Sequence, residues 1–222
     1  MYNNKNIIIL APHPDDETLG CGGTILKHIS EGFNVYWLIF TKLDNKHSYY
    51  KTREEEINKV KKKYSFKDVY RFNFKTAKLD TYPIDKIISK MKKVIEKVKP
   101  FLIYAPYNLD SHSDHRVVFN CMSHFSKSFR YSFIKEIRLY ETLSETENSI
   151  LTFENNFNPN LWVDISNFIK KKCEIFKIYK SENGKYPFPR SEESIISLAK
   201  FRGSTSNLKV AESFIMVKRV EN

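Results

Sequence analysis

The stretch "NIIILAPHPDDETLGCGG" (residues 6–23) passes from an apolar run through a proline-pinned polar turn into a glycine-rich segment. Four consecutive apolar residues, Ile7 to Leu10, read as a buried strand rather than a half-exposed one, because no polar alternation interrupts them. A helical segment from about Glu17 to Ser30 follows, ending at the turn "EGFN". Between strand and helix stand His13, Asp15, Asp16 and Glu17, four polar side chains that a core has no use for.

The same alternation continues outward from this stretch. "NVYWLIFT" (34–41) is a second strand, and "YYKTREEEINKVKKKY" (49–64) a helix carrying Ile57, Val60 and Tyr64 along one side. "DVYRFNF" (68–74) is a third strand. "PIDKIISKMKKVIEKVK" (83–99) places Ile84, Ile87, Ile88, Met91, Val94, Ile95 and Val98 at helical period. Pro100 ends it, and "FLIYA" (101–105) is a fourth strand. Strands alternating with helices of this length predict an α/β fold, a Rossmann-like mostly parallel sheet flanked by helices. Right-handed crossovers give the strand order 3-2-1-4.

The second half is less regular. It holds a helix from about His115 to Ser126, strands at "EIRLYE" (136–141) and "LWVDIS" (161–166), and a helix after the latter. A proline-rich loop, "KYPFPRS" (185–191), precedes a last helix and a closing strand "ESFIMV" (212–217). With no internal repeat, linker or low-complexity tail, residues 1–222 are expected to form a single domain. The length and a 41% hydrophobic content suit one core.

No stretch reaches the ~20 apolar residues that span a bilayer. The apolar run at the N-terminus is too short for a secretory signal, so a cytoplasmic protein without a transmembrane segment is expected. Cys21, Cys121 and Cys173 are odd in number and widely spaced, and are expected to be reduced. Thirty-seven Lys and Arg against 26 Asp and Glu give a net charge of +11, so anionic partners have to be considered. Most of the positives sit on helices as solvated lysines, as in "KVKKK" (59–63).

A second polar cluster, "DSHSDHR" (110–116), lies just beyond the fourth strand. In a 3-2-1-4 order, strands one and four are neighbours at the topological switch point, where open α/β sheets bind ligands beyond the carboxyl ends of their strands. His13, Asp15, Asp16, Asp110, His112, Asp114 and His115 should therefore meet in one crevice. A catalytic zinc takes three protein N or O ligands and keeps one position open, and two His with one carboxylate meet that need. The remainder supply proton transfer and charge stabilisation. A helix N-cap alone would explain one or two of the carboxylates but not the histidines or the second cluster. His28, His47 and His124 stand apart and read as ordinary residues. "LGCGG" lacks the Lys-Ser/Thr ending of a phosphate loop, and Cys21 reads as a small packing residue.

"APHPDDETLGCGGTI" (11–25) with the downstream "HSDHR" (112–116) resembles the LmbE-like (PIG-L) family of zinc-dependent N-deacetylases. The tail "PFPRSEESIISLAKFRG" (187–203) with "AESF" (211–214) resembles that of many bacterial members. The resemblance implies a Rossmann-like fold, one zinc ion per chain, and removal of an acyl group, usually acetyl, from an amino-sugar nitrogen. It implies His13, Asp16 and His115 as zinc ligands, Asp15 as general base, and protonated His112 as electrostatic stabiliser. Asp114 would hold a motif histidine in its tautomer. Arg53, in "TREEE" (52–56), and Arg202 would bind substrate, while Glu212 matches a tail position. Ser181-Glu182 stands where many members carry Ser-Gln. The expected partner is a small N-acyl amino sugar, free or carried on a nucleotide or lipid.

Two rival readings come from other classes. A metal-dependent phosphoesterase would want more bridging carboxylates than these clusters supply. A nucleotide- or nucleic-acid-binding module would leave seven polar residues idle, and no aromatic RNA-binding motif is present, so no nucleic-acid partner is expected.

Overall fold

A computed structural model describes residues 4–150 and 156–221. The first half is β1 (Asn6–Ala11), α1 (Asp16–Ser30), β2 (Asn34–Lys42), α2 (Tyr50–Tyr64), β3 (Asp68–Lys75), α3 (Ile84–Val98) and β4 (Leu102–Pro106). After it come α4 (Ser113–Ser123), β5 (Glu136–Tyr140), β6 (Leu161–Asp164), α5 (Ile169–Phe176), α6 (Glu192–Ser204) and β7 (Ala211–Arg219). The strands of the described residues form one sheet in the order β3-β2-β1-β4-β5-β7-β6. The order 3-2-1-4 expected from the alternation is present, with β1 parallel to both β2 and β4. Beyond β5, strands β7 and β6 add antiparallel.

Alternate residues of β1 feed opposite faces of the sheet. Ile7, Ile9 and Ala11 pack with Leu19 and Ile25 of α1 and with Ile57, Val60 and Tyr64 of α2. Ile8 and Leu10 pack with Ile87, Met91 and Ile95 of α3 and Val118 and Met122 of α4. Burial on both faces explains why β1 reads as an uninterrupted apolar run. Cys21, Cys121 and Cys173 are buried and unpaired. Among the described residues, no helix is long and apolar enough to cross a membrane.

The helix expected from about Glu17 to Ser30 is present as α1, with a kink at Cys21, whose backbone (φ −142°) leaves the helical region. In an unbroken helix Gly23 N–H would donate to Leu19 C=O. Here Gly23 and Thr24 N–H donate to the Glu212 carboxylate at 2.8 and 2.7 Å. Lys172 Nζ takes over Leu19 C=O at 2.8 Å and completes the set with Glu212 Oε1 at 2.7 Å. Close approach on this side requires glycine: a Cβ on Gly20 would lie 2.2 Å from the Tyr140 ring. Both charges of the Lys172–Glu212 pair are 5% exposed. Glu212→Ala should strand a buried ammonium and two amide donors, costing about 3–5 kcal/mol. A denaturant midpoint near that of the wild type would contradict this assignment.

Candidate metal centre

β1 ends at Ala11, and the chain turns through His13–Pro14–Asp15 before α1 begins at Asp16. Asp15 is the strained point of the turn, with φ 145° and ψ −30°, a conformation that costs a non-glycine residue ~1–3 kcal/mol. Its surroundings hold it there. Asp15 N–H donates to Glu17 Oε2 at 3.0 Å, and Asp15 C=O accepts from Thr18 and Leu19 N–H, each at 2.9 Å. Glu17 is anchored in turn by Tyr179 Oη at 2.8 Å. The strain turns two adjacent carboxylates to different partners.

Asp16 points inward. Its Oδ2 accepts His13 N–H at 2.8 Å and lies 3.3 Å from His13 Nδ1 and 3.3 Å from His115 Nε2. His115 comes from the first turn of α4, beyond the carboxyl end of β4, so the two sequence clusters do meet across the β1–β4 pair. The far nitrogen of each histidine carries a carboxylate. Asp110 Oδ2 is 2.8 Å from His115 Nδ1, and Asp114 Oδ2 is 3.1 Å from His13 Nε2. Both carboxylates are themselves held: Thr146 Oγ1 donates to Asp110 at 2.6 Å, and Ala77 and Leu79 N–H donate to Asp114 at 2.7 and 2.9 Å.

His13, Asp16 and His115 offer donor atoms within 4.8 Å of one another. N and O donors at ~2.0–2.2 Å from a tetrahedral ion lie about 3.3–3.6 Å apart, which the two 3.3 Å separations match. His115 Nε2 is buried and faces Asp16 at 3.3 Å without a well-formed hydrogen bond, so a polar atom aimed at this point has capacity left for a metal. A carboxylate on the outer nitrogen of each histidine is the support that metal-ligating imidazoles use. The residues fit a divalent metal. A second grouping, His13, His112 and Asp114, is also compact. It fits less well, because both Asp114 oxygens already accept backbone N–H groups and His112 Nδ1 accepts Asp114 N–H at 3.1 Å.

Charge follows the same geometry. Burial disfavours the imidazolium of His13, but Asp114 and Asp16 outweigh it and raise its pKa to about 9. Burial likewise opposes the charge on His115, and Asp16 and Asp110 raise it to about 10. A metal entering the site therefore displaces protons. Burial alone would raise Asp16, yet His115 and His13 hold it well below the carboxylate range. Asp15 moves the other way, pushed well up by burial and by the charge of Asp16, against the pull of Arg190.

A cavity of about 180 Å³ opens beside the cluster, lined among others by His13, Asp15, His112, Arg53, Glu182 and Arg190. Arg53, from α2, is 7% exposed there. Its Nη1 donates to Pro14 C=O at 2.9 Å, and its Nη2 bonds Ser181 Oγ and Glu182. Arg202 is not brought to this cavity. It lies in α6 and pairs with Glu141 through Nε at 2.8 Å and Nη2 at 2.6 Å. That ion pair ties α6 to the residue that follows β5 and leaves Arg202 apart from the other site residues. Arg190 is among the cavity residues that sequence analysis did not single out, although it stands inside the quoted "PFPRS". His28, set apart as ordinary, is paired with Tyr104 Oη at 2.8 Å.

A family model described as PIG-L, GlcNAc-PI de-N-acetylase, matches residues 8–126, which include both clusters. The chain belongs to the PIG-L family. This PIG-L chain is 24% identical over 234 residues to the diacetylchitobiose deacetylase of Thermococcus kodakarensis, covering 96% of this chain and 83% of that protein. Among solved structures, it is similar to the N,N'-diacetylchitobiose deacetylase from Pyrococcus horikoshii. The TM-score is 0.77 at 22% identity, over 97% of this chain and 85% of that one. GalB, the 4-carboxy-2-hydroxymuconate hydratase from Pseudomonas putida, gives 0.78 at 15% identity, over 98% of each chain. The PIG-L fold is thus shared by deacetylases and a hydratase, and at these identities the likeness is one of fold.

Proposed function

We propose that this protein is a zinc-dependent N-deacetylase that hydrolyses the N-acetyl amide of an amino sugar or its conjugate, releasing acetate and a free amine. One zinc ion per chain would be held by His13, Asp16 and His115. The observation that carries the proposal is a two-His, one-carboxylate donor set whose His13 lines the same cavity as a separate carboxylate, Asp15, and a separate imidazole, His112. The family match supports the amide as the bond broken. A bound zinc supplies Lewis acidity, lowering the pKa of a water toward ~7 and polarising the acyl oxygen.

The chain's own residues do the rest. Asp15 accepts the proton of the attacking water and returns it to the departing nitrogen, since an amine leaves readily only when protonated. Its raised pKa suits both halves of that task, and the opposite shifts of Asp15 and Asp16 separate base from ligand. His112 faces the developing oxyanion. Because its Nδ1 accepts Asp114 N–H, its neutral form carries the proton on Nε2. Burial lowers its pKa, with His13 and His115 adding to the effect. His112 therefore has an Nε2–H to offer the oxyanion, in the role of electrostatic stabiliser that the resemblance implies. Such a donor is worth about 3–4 kcal/mol in the transition state.

Arg53 is read as a substrate contact at the cavity wall. Arg53→Ala should raise KM roughly tenfold, the loss of one charged hydrogen bond, with metal content unchanged. Steady-state kinetics with metal analysis checks this. Loss of metal instead would mean that its bond to Pro14 C=O serves the metal-binding turn. The function itself is tested by acetate release from a panel of N-acetyl amino sugars, free and nucleotide-linked, with zinc present. Acetate and amine in equal amounts from any member support the reading. No acetate from any N-acetyl or other N-acyl member, with zinc bound, refutes it.

A further inference from the structure

Arg190 sits in the loop between α5 and α6, 175 residues from Asp15 in sequence, and reaches it directly. Its Nη1 donates to Asp15 Oδ2 at 2.9 Å and to Glu182 Oε2 at 2.9 Å. Its Nη2 donates to Glu145 Oε1 at 3.2 Å, and its Nε to Ser144 Oγ at 2.7 Å. All three nitrogens are engaged, by groups from three separate loops. The Arg190 and Asp15 side chains are 17% and 4% exposed, so water does little to screen the pair. Asp15 Oδ1, by contrast, accepts no hydrogen bond from the described residues, and Asp15 lines the cavity.

We infer that Arg190 is a positioning residue for the hydrolytic base: by occupying Oδ2 it fixes the rotation of the Asp15 carboxylate and leaves Oδ1 as the oxygen that meets the reacting proton. The inference rests on the proposed reading of Asp15 as that base. A carboxylate on an aspartate turns freely in a broad, two-fold well about its last torsion. Proton transfer needs the accepting oxygen within ~2.6–3.2 Å of its donor, so an unrestrained carboxylate is out of line much of the time. The strained Asp15 backbone sets where the side chain starts, and Arg190 sets how it is turned. A lysine cannot replace it. One ammonium is a point charge, whereas this fork serves Asp15, Glu145, Glu182 and Ser144 in different directions.

The test uses the zinc-loaded full chain and the best N-acetyl substrate, at a temperature where circular dichroism shows each variant folded. Arg190→Ala should lower kcat roughly 10- to 100-fold, the usual result of misplacing a reacting group by about an ångström, with KM and zinc stoichiometry close to wild type. Guanidinium at tens of millimolar should restore part of kcat, and sodium chloride at equal ionic strength should not. Arg190→Lys should stay impaired. Glu145→Gln, which weakens a different bond of the same guanidinium, should keep near-wild-type kcat. If Arg190→Ala does not fold, Arg190→Gln carries the same measurements. An unchanged kcat, a loss confined to KM or zinc, or a Glu145→Gln as impaired as Arg190→Ala and no guanidinium rescue would each overturn the inference. A wild type that releases no acetate from any substrate refutes the proposed function; an active wild type matched by Arg190→Ala refutes this inference alone.

Discussion

Asp15→Asn is expected to keep its metal and to lose hydrolysis by roughly 10²–10⁴-fold, the contribution of a general base. Adjacency to Asp16 does not make the two aspartates equivalent. Asp15 contributes no atom to the compact donor set, and its carboxylate is turned to Arg190 instead. Asparagine has the same shape and can still accept from Arg190 through its amide oxygen. What it cannot do is take a proton. Atomic absorption for zinc, run beside single-turnover acetate release, reads both halves of this expectation. A zinc-free Asp15→Asn would make Asp15 a ligand, and an active one would place the base elsewhere.

Asp16→Ala and His115→Ala should fail at an earlier stage, losing zinc first and activity as a consequence. Asp16 Oδ2 stands at the centre of the set, 3.3 Å from both imidazoles, and also braces His13 N–H. Without it, two histidines face each other with their outer nitrogens still paired to Asp114 and Asp110, and no anionic donor remains between them. Zinc per chain should fall from about one to a small fraction after dialysis, with partial recovery of activity at high zinc, because affinity rather than the fold is lost. Full zinc occupancy in Asp16→Ala would exchange the roles given to the two aspartates.

The parallel half of the sheet could be read from the chain because each of its elements carries its own signal. β1 is a continuous apolar run, α3 repeats its apolar residues at helical period, and right-handed crossovers leave little choice of order. β5, β7 and β6 are different. Glu136 pairs with Arg219, so this register depends on chain distant in sequence, and no local pattern announces it. The break at Cys21 is hidden for the same reason. Its cause is Glu212 and Lys172, which arrive from β7 and α5 to replace helix hydrogen bonds.

The site divides in a similar way. His13, Asp16 and His115 are legible as two short clusters whose meeting follows from strand order. Arg190 is one positive charge among 37, and its importance lies in partners from three loops that only the folded chain assembles. Arg202 shows the converse. It lies in the same tail, yet its guanidinium pairs with Glu141 and does not line the cavity beside the metal cluster.

The central claim is that one zinc at His13, Asp16 and His115 makes this chain an amide hydrolase. Protein stripped by a chelator and titrated with zinc tests it most directly, with acetate release from its best N-acetyl amino sugar followed at each addition. The account predicts no release without zinc and a rise that levels at about one equivalent, as the three-ligand site requires. Full activity in the stripped protein, or a plateau only at two equivalents, would contradict it.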